Sequence, residues 1–363
     1  MIDRDTVRLE CARMLSGHRP QTVRDRLAAL MASPLSELPP DLYGKGTAIA
    51  ALESEVARLL GKQSAVFMIK GVVAQQAALR TWADRSGRRT VALHPKSHID
   101  QDEQNAYERL HGLKAIRLGA DHAPFTLAEL EAVAERPGVV TVELPLRSAG
   151  YKLPTWDELV GISDWCRARG IPLHLDGARL WEAQPYYDRP LADIAAVGDS
   201  IYVSFYKGLG GLGGAILAGP DDVIAEARLW QARHCGPLWT AFPFVISATD
   251  GLHRYLPQMP AFHARALSLA TALGRIPGVA IVPDAPHCNA FQIYLPADIA
   301  ALETAHLELA CSSSVWLFGR FVSTALPKLT MTEISIGTAA ESLGNEEVVS
   351  LVVRLMEMAA AVP

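Results

Sequence analysis

The sequence predicts an α/β fold: a mostly parallel sheet with helices on both faces, followed by a smaller α+β C-terminal domain. Three observations predict it. Short apolar runs alternate with amphipathic helical stretches from about Leu52 to Gly219, the order that builds repeated βαβ units. Two of those runs, Ile171-Pro-Leu-His-Leu-Asp176 and Ser200-Ile-Tyr-Val-Ser-Phe205, read as buried parallel strands, the first ending in a carboxylate and the second leading to Lys207. Beyond Phe244 the alternation gives way to a long helical stretch and a few scattered strands.

Taken in order, Leu52, Val56 and Leu59 mark one face of a helix ending near Gly61. The strand Ala65-Val-Phe-Met-Ile69 follows, then a helix from about Val72 and a strand at Thr90-Val-Ala-Leu93. Thr126 with Glu129, and Thr155 with Glu158, have the spacing of capping boxes that open helices. The second helix runs to Gly170, a C-terminal stop, and straight into the Asp176 strand. Gly214-Ala-Ile-Leu-Ala-Gly219 reads as a further short strand and 223–233 as a helix. The C-terminal part is a helical stretch over 244–276, a strand at Asn289-Ala-Phe-Gln-Ile-Tyr294, a helix over 298–310, a strand around Ile334 and a last helix opened by Asn345. Val348, Leu351, Val352 and Leu355 give that last helix its core face. The expected division is an N-terminal helical segment over 1–44, packing on the small domain or a partner subunit, a large domain over 45–243 and a small one over 244–363.

A chain of 363 residues, half of them hydrophobic, buries a substantial core. Its net charge of −5 and the lack of a Lys/Arg block exclude an extended nucleic-acid surface. No apolar run approaches the roughly 20 residues that span a bilayer, and the N-terminus lacks the apolar core of a signal peptide. Cys11, Cys166, Cys235, Cys288 and Cys311 are dispersed, odd in number and without C-x-x-C spacing, so neither a disulfide framework nor a zinc site is indicated. The expected compartment is a reducing cytoplasm.

The chemistry gathers in His174-Leu-Asp-Gly-Ala-Arg179 and Ser204-Phe-Tyr-Lys207-Gly-Leu-Gly-Gly-Leu-Gly-Gly214. In open α/β sheets, ligands sit outside the carboxyl ends of the strands, where Asp176 and Lys207 both fall. A lysine amine there condenses with an aldehyde cofactor, and an acid beside a pyridine nitrogen keeps the ring protonated and electron-withdrawing. Asp176 and Lys207 are therefore candidates for holding pyridoxal 5′-phosphate. Arg179 offers a planar fork for a carboxylate, and the glycines after Lys207 let backbone approach a bulky group. Taken singly, each has an ordinary reading: Asp176-Gly177 is also a hairpin signal, and a strand-end lysine is usually solvated. Gly208-Leu-Gly-Gly-Leu-Gly213 matches the dinucleotide-binding pattern, but it leads into a strand where that pattern should open a helix.

These motifs resemble the threonine aldolase and β-eliminating lyase group of fold-type-I pyridoxal phosphate enzymes. Asp41-x-Tyr-Gly44, Gly61-Lys-Gln-Ser-Ala-Val-Phe67 and Ser97-His-Ile99 add weaker support, and the likeness runs from about Asp41 to Gly219. The resemblance implies a seven-stranded large-domain sheet and a homodimer or homotetramer with shared active sites. It implies that Lys207 forms the imine with the cofactor, Asp176 pairs with the pyridinium nitrogen and His98 stacks on the ring. Arg179 would bind the substrate carboxylate, Ser204 would lie near the cofactor and Tyr43 would stand at the rim. For His98 the ordinary alternative is a structural histidine, with His94 close by.

The chain departs from the family pattern in several places. The phosphate loop, usually Ser-Gly-Thr, is Lys70-Gly71-Val72, which leaves backbone N–H groups of Gly71 and Val72 at a helix start to take the phosphate. Lys70 either adds a charge there or faces water. An Asn-bearing strand end is replaced by Glu143-Leu-Pro-Leu-Arg147, and a segment that often carries Arg reads Cys235-Gly-Pro-Leu-Trp239-Thr240, leaving Arg228 or Arg233 to substitute. No arginine occurs between Phe321 and Val353, where a second carboxylate-binding arginine is usual; Arg320 or Lys328 would have to replace it. The expected activity is cleavage of a β-hydroxy-α-amino acid, of the threonine or allo-threonine type, to glycine and an aldehyde, with His98 as the base. The alternatives are β-elimination from another amino acid, and non-catalytic binding of the cofactor.

Overall fold

The structure is a computed structural model and describes residues 3–120, 122–234 and 236–361. The chain forms two compact units, one of Val23–Gln258 and one of the residues up to Thr22 with those from Met259 onward. From sequence the breaks stand at 44/45 and 243/244; in the structure they fall at 22/23 and 258/259.

The larger unit is built on a seven-stranded sheet. Its strands are β1 (Ser64–Met68), β2 (Thr90–Leu93), β3 (Lys114–Arg117), β4 (Val139–Glu143), β5 (Leu173–Gly177), β6 (Ser200–Ser204) and β7 (Ala215–Gly219). They lie in the order β1-β7-β6-β5-β4-β2-β3. Only β7 runs against its neighbours; the rest share one direction, so their carboxyl ends emerge along one edge. Because β5 and β6 are parallel, Asp176-Gly177 ends a strand and is not a hairpin turn. β4, β5, β6 and β7 are buried along almost their whole length, which is why they read as continuous apolar runs rather than alternating ones.

The helix Gly71–Ser86 packs across this sheet with Ala74, Ala77 and Ala78 against Val66, Met68, Tyr202 and Leu217. Small side chains on that face let the helix approach closely, and Gly87 in the left-handed region (φ 67°) ends it. Beneath the helix is a polar network. His174 is fully buried on β5, with Nε2 2.7 Å from Gln75 Oε1 and Nδ1 2.8 Å from Ser200 Oγ. Trp82 Nε1 donates to the same Ser200 oxygen at 2.8 Å. An amide oxygen only accepts, so Nε2 carries the proton and Nδ1 accepts from Ser200. The imidazole is thus neutral, and burial pushes its pKa down to about 3.

In the smaller unit a four-stranded antiparallel sheet runs Phe321–Ser323, Thr330–Ser335, Ala290–Leu295, Ala280–Val282. Arg13–Met14 pairs in parallel with Val315–Trp316, and the helices Met259–Leu273, Ile299–Ser313 and Asn345–Ala361 belong to this unit. Val348, Val352 and Leu355 are buried as expected, while Leu351 is only partly buried.

Three local expectations are corrected. The helical stretch over 244–276 is two helices, Phe242–Tyr255 and Met259–Leu273, separated by the 3-10 turn Leu256–Gln258. Pro257 in that turn lacks the N–H to continue the ladder, and the two units divide here. Thr126 and Glu129 form both bonds of a capping box, whereas Thr155 only accepts from Glu158 N at 3.3 Å. The Glu158 carboxylate turns instead to Leu127 N at 2.8 Å, tying two helix starts together. Leu60, not Leu59, completes the buried face of the helix Thr47–Leu59.

The buried neutral histidine makes stability pH-dependent. Its folded pKa lies below the unfolded value of about 6.5, so the unfolded state binds more protons as pH falls from there towards 3. His174 should therefore cost about 1.4 kcal/mol of stability per pH unit across that window. Urea unfolding at pH 7.5 and 5.5 should show the loss in wild type, and a smaller pH difference in His174→Gln.

Candidate active site

The site follows from register. Glu143 at the end of β4 lies directly opposite Asp176 on β5, and Asp176 lies opposite Tyr202 on β6. The chain leaves β6 at Ser204 and reaches Lys207 three residues later. Asp176 is 1% exposed and fixed by accepting from Ala178 N at 3.1 Å. Burial and the neighbouring Asp176 charge raise the pKa of Glu143, against two stabilising bonds from the backbone N–H groups of His98 (2.7 Å) and Arg147 (3.2 Å).

His98 begins a short helical turn after β2. Its Nδ1 is 3.0 Å from Glu103 Oε1, and Glu103 is itself held through Oε2 by Gln76 Nε2 at 2.8 Å. The Glu103 hydrogen bond raises the pKa of His98 against the opposing effect of burial, with Asp176 adding to the rise and Lys207 reducing it. His98, Asp176 and Lys207 therefore share one electrostatic environment. His94, its sequence neighbour, is structural: Nε2 bonds Ala120 O at 2.9 Å and Nδ1 accepts from Lys96 N.

Lys207 is half-buried. Burial first, then the Arg179 guanidinium, lower its pKa, while Asp176, Glu143 and Glu182 raise it. Glu182, 2% exposed on the helix Leu180–Tyr187, accepts from Gly208 N at 2.8 Å and so grips the peptide following Lys207. The Arg179 guanidinium carbon is 5.4 Å from the Tyr151 ring centroid, and Arg147 Nε donates to the hydroxyl of Tyr151 at 3.3 Å. Ser204 is fully buried, and its hydroxyl donates to Ala178 O at 2.7 Å, joining the ends of β5 and β6.

Gly71 opens its helix from an extended Lys70, whose side chain is exposed and makes no capping bond. Gly71 N donates to Tyr206 Oη at 3.3 Å, and Tyr206 and Tyr202 hydroxyls are 3.2 Å apart. A Cβ on Gly71 would stand 1.9 Å from the Tyr202 hydroxyl, so only glycine fits. Val72 follows in the first turn. Tyr43, with φ 49°, is 58% exposed and stacks edge-on against Trp239 at 4.8 Å. A small cleft lined by Gly44, Ile69, Val73 and Pro237 places that turn near the start of the Gly71 helix. Arg228 is committed to Glu53 (2.7 Å) and Ala65 O (2.9 Å), and Arg233 stacks on Trp230. Cys235 lies outside the described residues.

The donor set fits pyridoxal phosphate. A buried strand-end carboxylate suits a protonated ring nitrogen, an amine of lowered pKa suits the aldehyde, and the glycine at a 16-residue helix start suits an anion. Sequence reasoning reached Asp176, Lys207, His98 and Arg179, which the structure gathers. It missed Glu103, Gln76, Glu182, Tyr151 and the Tyr202–Tyr206 pair, none of which stands in a spacing that betrays its role.

This sheet order with an acid and an amine at adjacent strand ends is the arrangement of fold-type-I pyridoxal phosphate enzymes. Residues 28–295 match the β-eliminating lyase family, and the chain belongs to that family of pyridoxal phosphate-dependent lyases. Two solved structures superpose closely. A candidate aromatic amino acid β-eliminating lyase/threonine aldolase from Exiguobacterium sp. 255-15 is 36% identical, with a TM-score of 0.91 over 97% of this chain and 99% of that one. A candidate L-allo-threonine aldolase from Listeria monocytogenes EGD-E is 35% identical, with a TM-score of 0.92 over 97% and 98%. An aldolase of Penicillium aethiopicum is 32% identical over 68% of this chain; the match spans 64% of that relative's length.

The Glu103 contact predicts a measurable effect. Glu103→Gln should lower the pKa of His98, read by NMR titration of the imidazole. An unchanged His98 titration would show that the Glu103 bond does not tune it.

Proposed function

We propose that the chain is a pyridoxal phosphate-dependent aldolase that cleaves a β-hydroxy-α-amino acid, of the threonine or allo-threonine type, into glycine and an aldehyde. The observation that carries this reading is the shared environment of Asp176, Lys207 and His98, with His98 aimed by a buried carboxylate. Bound there, the cofactor supplies an electron sink for the bond broken at the substrate α-carbon.

The protein's own groups divide the remaining work. Lys207 offers an amine whose proton is loosened by burial and Arg179. Asp176, shielded from water, would hold the proton on the ring nitrogen. With the Glu103 carboxylate oxygen accepting from His98 Nδ1, Nε2 is the nitrogen left to act as base when the ring is neutral. Nε2 would take the β-hydroxyl proton of the substrate. Arg179, oriented over Tyr151, would bind the substrate carboxylate, and the backbone N–H groups of Gly71 and Val72 would meet the phosphate. Ser204 acts behind this layer by fixing the two strand ends. Tyr43 would border the entrance.

An apolar groove of about 660 Å³, lined by Leu27, Leu30, Met31, Leu38 and Phe242, supports a homodimer or homotetramer. β-Elimination from another amino acid is the second reading, favoured by the Glu143-Leu-Pro-Leu-Arg147 strand end, where Arg147 engages Tyr151; its products would be ammonia and a keto acid.

Incubation with L-threonine and L-allo-threonine should yield glycine and acetaldehyde in equal amounts; ammonia and a keto acid would instead support elimination. Asp176→Asn should retain bound cofactor, seen by its absorbance, and lose turnover. Unchanged turnover would remove Asp176 from its role. His98→Gln should slow cleavage by about 100-fold or more.

A further inference from the structure

We propose that Glu182 is a positioning residue for Lys207, clamping the Lys207–Gly208 peptide and placing a carboxylate beside the amine. The inference rests on the reading of Lys207 as the cofactor-binding lysine.

Asp176, Arg179 and Glu182 follow one another at three-residue spacing where β5 passes into the helix Leu180–Tyr187, with Arg179 at the position preceding its first turn. One short stretch of chain thus delivers an acid, a guanidinium and a second acid to the same strand end. Glu182 is 2% exposed, a costly place for a carboxylate. Its Oε1 takes the Gly208 N–H at 2.8 Å, while Oε2 has no hydrogen-bond partner among the described residues. The fit is tight: a Cβ on Gly208 would lie 2.4 Å from Oε1, so the clamp requires glycine after the lysine.

Burial raises the pKa of Glu182, opposed first by Arg179 and also by the Gly208 bond and Lys207. When ionised, the acid in turn favours the protonated amine. Asp176 would be engaged by the ring nitrogen and Glu143 is bonded by two backbone N–H groups. Glu182 is left as the carboxylate that both grips the lysine's own peptide and acts on its charge.

The test is a pH titration of the absorbance of lysine-bound cofactor in the purified, cofactor-loaded protein. Glu182→Gln keeps an oxygen for Gly208 N but removes the charge, and the titration midpoint should fall by about one pH unit. Glu182→Asp, which retains the charge, should restore most of the shift. Gly208→Ala, which drives a Cβ onto Oε1 while leaving the acid in the sequence, gives an independent displacement of the carboxylate and should also lower the midpoint. Midpoints equal to wild type in Glu182→Gln and Gly208→Ala overturn the proposal while leaving Lys207 in place. Absence of lysine-bound absorbance from wild type would overturn the reading of Lys207 and this inference with it.

Discussion

Everything at the site depends on placing like charges side by side at the carboxyl edge of a parallel sheet. Glu143 and Asp176 are register partners on β4 and β5, and burial together with the Asp176 charge raises the pKa of Glu143 to about 7. Backbone N–H groups reach Glu143 from two directions, and Lys207 supplies the opposing charge. The same low-dielectric setting that makes the carboxylates costly loosens the proton of Lys207. A charged ring nitrogen bound at Asp176 would complete the balance, which gives the protein a physical reason to hold its cofactor tightly.

The scaffold under this edge is polar as well as apolar. His174 joins β5, β6 and the Gly71 helix through Gln75 and Ser200, and Ser204 ties the β6 end to Ala178. These bonds tie the ends of neighbouring strands together and so fix the strand end that carries the Asp176 carboxylate and the Lys207 loop. His174 and Ser204, conspicuous in the sequence motifs, both spend their side chains on these bonds.

Where the chain departs from its family pattern, the structure shows what stands in the changed places. The loop Lys70-Gly71-Val72 has lost two hydroxyls, but Tyr202 and Tyr206 bring two phenol hydroxyls to the same helix start. The strand end without asparagine carries Arg147, joined through Tyr151 to Arg179. Asp176, Lys207 and Arg179 were legible because their chemistry coincides with strand ends that the apolar runs reveal. Glu103 and Glu182 were not, because each acts from a helix or turn whose path back to the site depends on tertiary packing. The parallel sheet was legible for the same reason as the acid and amine, while β3 was not: Lys114–Arg117 is an exposed edge with charged residues at both ends. The break at Pro257 and the redirected Glu158 show that local spacing sets elements but does not choose between competing partners.

The central claim is that Lys207 holds the cofactor against this buried cluster. Borohydride reduction of the cofactor-loaded protein, followed by proteolysis and peptide mass spectrometry, tests it most directly. The account predicts a reduced pyridoxyl phosphate group on the peptide containing Lys207 and none in Lys207→Ala. Attachment at another lysine, or an unmodified Lys207 in protein that carries the cofactor, would contradict it.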